Sequence, residues 1–477
     1  MKFSKFFGLN QSQAQLDFVD IDTNQDMRLF VDPYAIQIKE NDFNLSCTDQ
    51  IKTFFAAVLE SLTENDPVRS SELTARLSEP QETFLGFSKE KPRGRGVGRK
   101  QADQILAALR NSRAFKTGLL ADLAETELFI DGIGPDKISD LTTNVIRSTL
   151  IEYTQNQCRL HGIPMMEGIP SGNMWHASKR EWHADYIELP MVDDKPVILV
   201  PKYLVRWRLS LNSQEFYNHY MLSFMRDVEL SSPSSKLVSV LRSKKRVVYK
   251  KDLKREYPLI KDELATFVKN HPEMLQQYKK FKGAQGALTN EDMDKDFDER
   301  KFAALLADNL SKIPAGIKHA SQYHSFMQGI LTFLFFPDLI NPIKEYEIDD
   351  RRKRIDIKFT NAAEHGFFYR IAEQPQTRSM DIFFECKNYS DDLSNPELDQ
   401  IAGRFSPFRG KLGFILCRTL ANEGLMLKRC QDTAKADRGF VIVLTDVKVI
   451  RFLRLIQEGQ RVKISDALFS ELSSLTS

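Results

Sequence analysis

Between Ser321 and Thr445 short apolar runs of strand length alternate with stretches of helical period, and that succession admits few folds. The periodicity predicts a helix over 321–335, two strands over 344–348 and 353–359 joined by the charged turn Asp349-Asp350, and a third strand over 380–387. A short helix over 396–405, a buried strand over 411–417, a helix over 422–435 and an apolar strand over 440–445 follow. The order is helix, three strands, helix, strand, helix, strand. Such an alternation packs as an α/β layer domain with helices against a sheet.

The third of these strands carries chemistry. It reads Phe383-Phe384-Glu385-Cys386-Lys387-Asn388-Tyr389, and the strand before it contains Arg354-Ile355-Asp356-Ile357-Lys358. Alternation along an extended chain sends Glu385 and Lys387 to one face, and Phe384 and Cys386 to the other, into the apolar interior. Hydrolysis of a phosphodiester needs a hard cation on carboxylate oxygens, a water activated beside it, and positive charge where the phosphate gathers negative charge. Asp356 and Glu385 are the candidate carboxylates, and the backbone carbonyl of Cys386 a candidate further metal ligand. Lys387 is the group to orient the water and neutralise the transition state. The bland reading of the same residues is a solvated cross-strand ion pair on an ordinary α/β domain.

This arrangement resembles the PD-(D/E)xK nuclease superfamily, the restriction-endonuclease-like fold of Mrr-type and RecB-type nucleases, over roughly residues 317–457. By the resemblance, Asp356 matches the Asp of the second core strand, Glu385 the acid of the third, Lys387 the catalytic lysine, and Gln400 a glutamine on the following helix. It implies a Mg²⁺-dependent deoxyribonuclease, with Mn²⁺ as a substitute, that acts on DNA in bacterial restriction or anti-phage defence and pairs as a homodimer to cut both strands. Two features depart from the pattern. The first helix, Tyr323-His324-Ser325-Phe326-Met327-Gln328-Gly329-Ile330, has no acid, so His324, Gln328 or Glu347 would have to complete a metal shell. The stretch 360–379 is long for a hairpin, and its segment 367–371 reads as strand-like. The alternatives are a catalytically silent nucleic-acid-binding protein, and a dormant nuclease activated by a protein or small molecule bound to the N-terminal half.

The domain accounts for less than half of 477 residues. Residues 1–230 read as a mixed α+β sensor or specificity domain: short strands over 16–38, a helix over 47–62, a mostly helical stretch to Arg159, and a hairpin of 186–192 with 196–200. The Ser/Pro-rich stretch 229–235 marks a boundary, residues 231–316 a helical basic connector, and residues 317–460 the nuclease-like domain. The connector opens with Lys236, Arg242, Lys244, Lys245, Arg246, Lys250, Lys251, Lys254 and Arg255 against Asp252 alone. It is either a phosphate-contacting arm or a solvated face. Lys244, Lys245, Arg246, Lys250, Lys251 and Arg404 are candidate nucleic-acid contacts, as are Arg95, Arg99 and Lys100 in the glycine turn Gly96-Val97-Gly98. The related turn Asp131-Gly132-Ile133-Gly134 is more acidic, and the Trp175, His176, Trp182 and His183 cluster reads as a loop anchor.

Global charge decides little, since the net value is +2 and attraction to phosphate must come from local patches. Five widely spaced cysteines in no CxxC pair indicate neither a disulfide framework nor a zinc site. No apolar run approaches the ~20 residues that span a bilayer, so a cytoplasmic protein without a membrane partner is expected.

Overall fold

The computed structural model describes residues 1–86, 99–344, 357–389, 393, 395–406 and 409–476. Its centre is a five-stranded sheet of β1 (Leu339–Ile343), β2 (Ile357–Asn361), β3 (Asp381–Lys387), β4 (Leu412–Cys417) and β5 (Phe440–Thr445), in that spatial order. β1 pairs antiparallel with β2, and β2 antiparallel with β3. β3, β4 and β5 are mutually parallel, so their carboxyl ends share one edge.

Parallel neighbours need crossovers, and helices supply them. α1 (Ala320–Phe335) precedes β1, α2 (Gly366–Glu373) lies between β2 and β3, α3 (Asn395–Ala402) links β3 to β4, and α4 (Glu423–Lys435) links β4 to β5. α5 (Asp446–Gln457) and α6 (Lys463–Leu475) end the chain. Phe384 of β3 stacks 4.9 Å from Phe414 of β4 and 6.2 Å from Phe335 of α1, which fixes α1 on that face. On the opposite face Phe383 meets Phe405, just past α3, at 6.2 Å. Gly413 lets α3 approach closely there, because a Cβ at that position would stand 2.7 Å from Ile401 Cδ1.

One expectation is corrected, and another falls mostly outside the described residues. The first strand is Leu339–Ile343, ahead of the expected 344–348, of which 345–348 lie outside the described residues. Its Asn341-Pro342 step is a bulge, with a register shift between Ile340 and Ile343 and Asn341 at φ 49°. The segment 367–371 is helical. Phe367, Phe368 and Ile371 bury one face of α2, a contact set that only helical period brings together.

The N-terminal region builds its own core, which runs from Phe3 to Tyr278 and takes in Ile340 of β1. The helix Asp42–Thr63 starts earlier than the expected residue 47, because the Asn41 side chain caps it by accepting from Asn44 N. Its stripe Cys47, Ile51, Phe54, Phe55, Val58 and Leu62 is buried. The expected 186–200 hairpin is divided. Tyr186–Leu189 pairs with Met166–Pro170, and only Met191–Val192 turns back onto Lys195–Pro196, through Asp193 and Asp194 at φ 47° and 61°. The basic connector opens as a hairpin, Val238–Val240 with Arg246–Val248, before its helices begin. Leu253, Leu264, Phe267 and Tyr278 of the connector enter the N-terminal core, while Ala303, Leu306 and Leu310 enter the core around the sheet.

The two cores meet at β1, an edge strand. Asp17 Oδ2 accepts from Tyr153 OH at 2.8 Å and from Asn341 N at 3.2 Å, and Gln157 Nε2 donates to Pro342 O at 2.9 Å. Edge backbone groups that would otherwise recruit another strand are thus satisfied by the N-terminal region.

Candidate functional site

β3 is the middle strand of five, paired with β2 over Asp381–Phe384 and with β4 over Phe383–Lys387, so Glu385 and Lys387 sit on backbone held in the sheet by β4. Glu385 lies on the α3 face and is 1 % exposed. Lys387 Nζ stands 2.8 Å from its Oε1, and Arg404 Nη1 stands 3.3 Å from its Oε2. Arg404 was expected among the nucleic-acid contacts. It is 7 % exposed and directed at Glu385 from the turn that follows α3. Its Nη2 is buried with no hydrogen-bond partner.

The described partners of this buried carboxylate are two cations, an ammonium and a guanidinium. Such cations are what a site for phosphate oxygens needs. Lys387 is the more accessible cation, and its Nζ also lies 5.8 Å from the Tyr389 ring centroid. Gln400 sits partly buried on α3, one turn before Arg404. Cys386 points to the opposite face and is buried in the sheet core, as the alternation requires. All five cysteines are buried and free.

Asp356, the expected second carboxylate, immediately precedes β2, whose Ile357 pairs with Phe384; Asp356, Glu347 and Arg95 lie outside the described residues. Gln328 accepts from Gln11 Nε2 at 3.3 Å and is packed against the N-terminal segment. His324 lies on α1 beside Tyr323, their rings 6.3 Å apart. Glu385 is the hard oxygen donor that a divalent metal takes, yet both of its oxygens are engaged by cations. Among the described residues no group of three His, Cys, Asp or Glu side chains converges as a metal site. The donor set is therefore incomplete without Asp356.

Sequence reasoning passed over two further features. Asp381, four residues before Glu385 on the same strand face, is half-buried and paired with Lys358 Nζ at 3.2 Å; burial raises its carboxyl and Lys358 opposes that shift. At about 3.3 Å of rise per residue it lies some 13 Å from Glu385, too far to share an ion with it. The second is at the carboxyl edge of the sheet. Asp446, directly after β5, accepts from Tyr323 OH at 2.8 Å and pairs with Arg418 at 3.0 Å. Burial pushes Asp446 up to about 6 against the opposing pull of Tyr323 and Arg418. Arg418 Nη2 also donates to Ile313 O, and Asn388 Nδ2 donates to Pro314 O and Gly316 O, so the 313–316 loop seals this edge. Neither signal is visible in sequence, since both depend on which strand ends lie together.

The glycine turn at Gly132 adopts φ 77° and is closed by Lys137 Nζ on Gly132 O at 2.9 Å, a backbone role for glycine. Trp175 Nε1 donates to Thr53 and Trp182 Nε1 to Leu73 O, which makes these indoles anchors of their hairpin. Arg99 and Lys100 open the helix Arg99–Asn111. The remaining candidate contacts, Lys244, Lys245, Arg246, Lys250 and Lys251, are all exposed on the connector.

Residues 8–212 match the family described as a domain of unknown function, DUF8370. That match covers most of the N-terminal core and ends before the basic hairpin and the five-stranded sheet. No curated protein and no solved structure matches the chain. Among the described residues no helix is long and apolar enough to cross a membrane.

Proposed function

We propose that this chain hydrolyses phosphodiester bonds in DNA at Glu385, Lys387 and Arg404, with Asp356 as the second carboxylate and Gln400 beside them. The observation that carries the reading is the buried Glu385 carboxylate on the middle strand, bracketed by Lys387 at 2.8 Å and Arg404 at 3.3 Å. In this reading Lys387 holds and orients the attacking water. The unpartnered Nη2 of Arg404 donates to a phosphate oxygen, and Gln400 positions the lysine. Mg²⁺ or Mn²⁺ is the group that Asp356 and Glu385 would hold, and when bound it would polarise the phosphate oxygens. Two copies acting together would cut both strands of a duplex, in a restriction or defence setting.

The test is cleavage by the purified full-length protein beside Lys387→Ala and Asp356→Ala. Linear, supercoiled and single-stranded DNA and RNA are the substrates, each with Mg²⁺, Mn²⁺ or EDTA. Metal-dependent cutting of DNA that is lost in both variants supports the proposal. Cutting that survives Lys387→Ala sinks it.

A second reading, a nuclease held dormant by its N-terminal region, is favoured by the buried contacts from Asp17 and Gln157 to β1. It predicts a silent wild type and cutting released by Asp17→Asn.

A further inference from the structure

We infer that the hairpin Val238–Val240/Arg246–Val248 and the helix Lys250–Glu256 behind it form a docking surface for the sugar–phosphate backbone of duplex DNA. This inference rests on the DNA reading for its partner and is independent of the catalytic residues.

From Lys236 to Glu256 the chain carries nine cations and two acids, a local charge of +7 in a protein whose net charge is +2. All nine cations are exposed. A solvated face is ordinarily laced with carboxylates, but here the one ion pair among the described residues is Arg255 with Asp252, at 3.6 Å. Lys250 and Lys254, and Lys251 and Arg255, are like-charge pairs four residues apart on one helix, an arrangement that opposes helix formation. Asp252 offsets this repulsion only in part, and a polyanion would relieve the rest.

The surface is also held firmly. Leu253 is buried, Leu237 and Val248 pack on the N-terminal core, and Lys244 takes the positive φ, 62°, that closes the hairpin tip. Behind it, Glu229 accepts from Tyr257 OH at 2.6 Å and from Ser235 Oγ, and these bonds lower its carboxyl pKa. A rigid hairpin with lysines and arginines at its tip, followed by a helix with cations on two faces, presents charge at fixed spacing. DNA displays phosphates at fixed spacing in return.

The rival occupants fit less well. Single strands are gripped by rows of stacking aromatics, and this surface exposes Tyr249 alone. An anionic bilayer would take a helix with a free apolar face, whereas Leu253 of this helix is spent on the protein interior and the exposed apolar residues are confined to Val240 and Leu241 of the hairpin and Tyr249.

The experiment uses full-length protein in EDTA, so that binding is read apart from cleavage. Affinity for a fluorescent duplex is measured from about 50 to 200 mM salt for wild type, for Lys244→Ala/Lys245→Ala/Arg246→Ala, and for the charge-matched control Lys116→Ala/Lys179→Ala/Lys195→Ala. With each phosphate contact contributing about 0.9 to the log–log salt slope, the hairpin variant should bind more weakly with a slope shallower by about 2 to 3. The control should keep the wild-type slope. An unchanged slope in the hairpin variant overturns the inference and leaves the hydrolysis reading intact. Equal losses in both variants also overturn it, as diffuse attraction. Tighter binding to single strands, RNA or anionic phosphatidylserine vesicles than to duplex overturns the assignment of the partner.

Discussion

Replacing Glu385 by Gln tests the core of the candidate site. Glu385 is 1 % exposed, and its two oxygens face Lys387 at 2.8 Å and Arg404 at 3.3 Å. Removing its charge takes away the counter-charge that two cations share, and Arg404, with a side chain 5 % exposed, has little access to water. Breaking a buried pair in this way costs about 3–5 kcal/mol. Arg404→Met should cost less, about 1.5–3 kcal/mol, the scale of a hydrogen bond to a charged group, because Lys387 still neutralises Glu385. Restoring the balance in the double variant Glu385→Gln/Arg404→Met should recover about 2 kcal/mol relative to the sum of the singles. In thermal unfolding, at about 2–4 °C per kcal/mol, the carboxamide variant should melt roughly 6–20 °C below wild type. A loss under about 1 kcal/mol, or strict additivity in the double variant, would show that Glu385 is not the common counter-charge of the two cations. The expected loss also means that Glu385 variants mix folding with chemistry, whereas Lys387 sits at the rim of the site and its removal reads out chemistry more cleanly.

Other outcomes follow from the same structure. Burial lifts Asp446 to about 6 from an ordinary 3.8, so the folded state binds its proton more tightly than the unfolded chain. The stability this contributes is fully present below pH 3.8 and lost as pH rises through 6, with a span of about 3 kcal/mol at 1.36 kcal/mol per pH unit. Wild type should therefore gain stability relative to Asp446→Asn between pH 7 and pH 4 in matched urea titrations, and parallel curves would contradict it. Asp17→Ala strips both Tyr153 OH and Asn341 N of their acceptor and should cost about 2–5 kcal/mol in denaturant melts. Lys202→Met should be neutral or stabilising. The Nζ is fully buried with no hydrogen-bond partner, 4.0 Å from the Phe336 ring centroid, and burial drives the ammonium down to about 7 against the opposing pull of Asp17, so its desolvation goes largely unrepaid. A large destabilisation would instead mean that Lys202 is a needed partner of Asp17. Gly413→Val should destabilise the sheet domain, because its Cβ would drive into Ile401, and a thermal midpoint equal to wild type would place α3 further from β4 than it stands here.

What the sequence determined by itself lies in its strongest periodicities. The run Phe440 to Thr445 is a strand as read, and Asp381–Lys387, Leu412–Cys417 and Glu423–Lys435 fall within a residue of expectation, because buried strands and amphipathic helices write their period into adjacent residues. Alternation alone was enough to put Glu385 and Lys387 on one face and Cys386 on the other. Local cues failed where long-range packing overrides them. The Asn341-Pro342 step stays in the sheet as a bulge, with Asp17 and Gln157, more than 180 residues away, binding its backbone. The segment 367–371 has the aromatic composition of a strand but finds its burial as a helix against the sheet. Arg404 reads as a surface cation, and nothing near it in sequence announces that α3 turns it inward to Glu385. The pairing of Asp446 with Tyr323 and Arg418 joins residues from one helix and two strand ends. Composition and period fix which side chains leave water. Only the tertiary fold decides which buried charges meet, because that choice depends on strand order and helix crossings that bring together residues with no sequence relation.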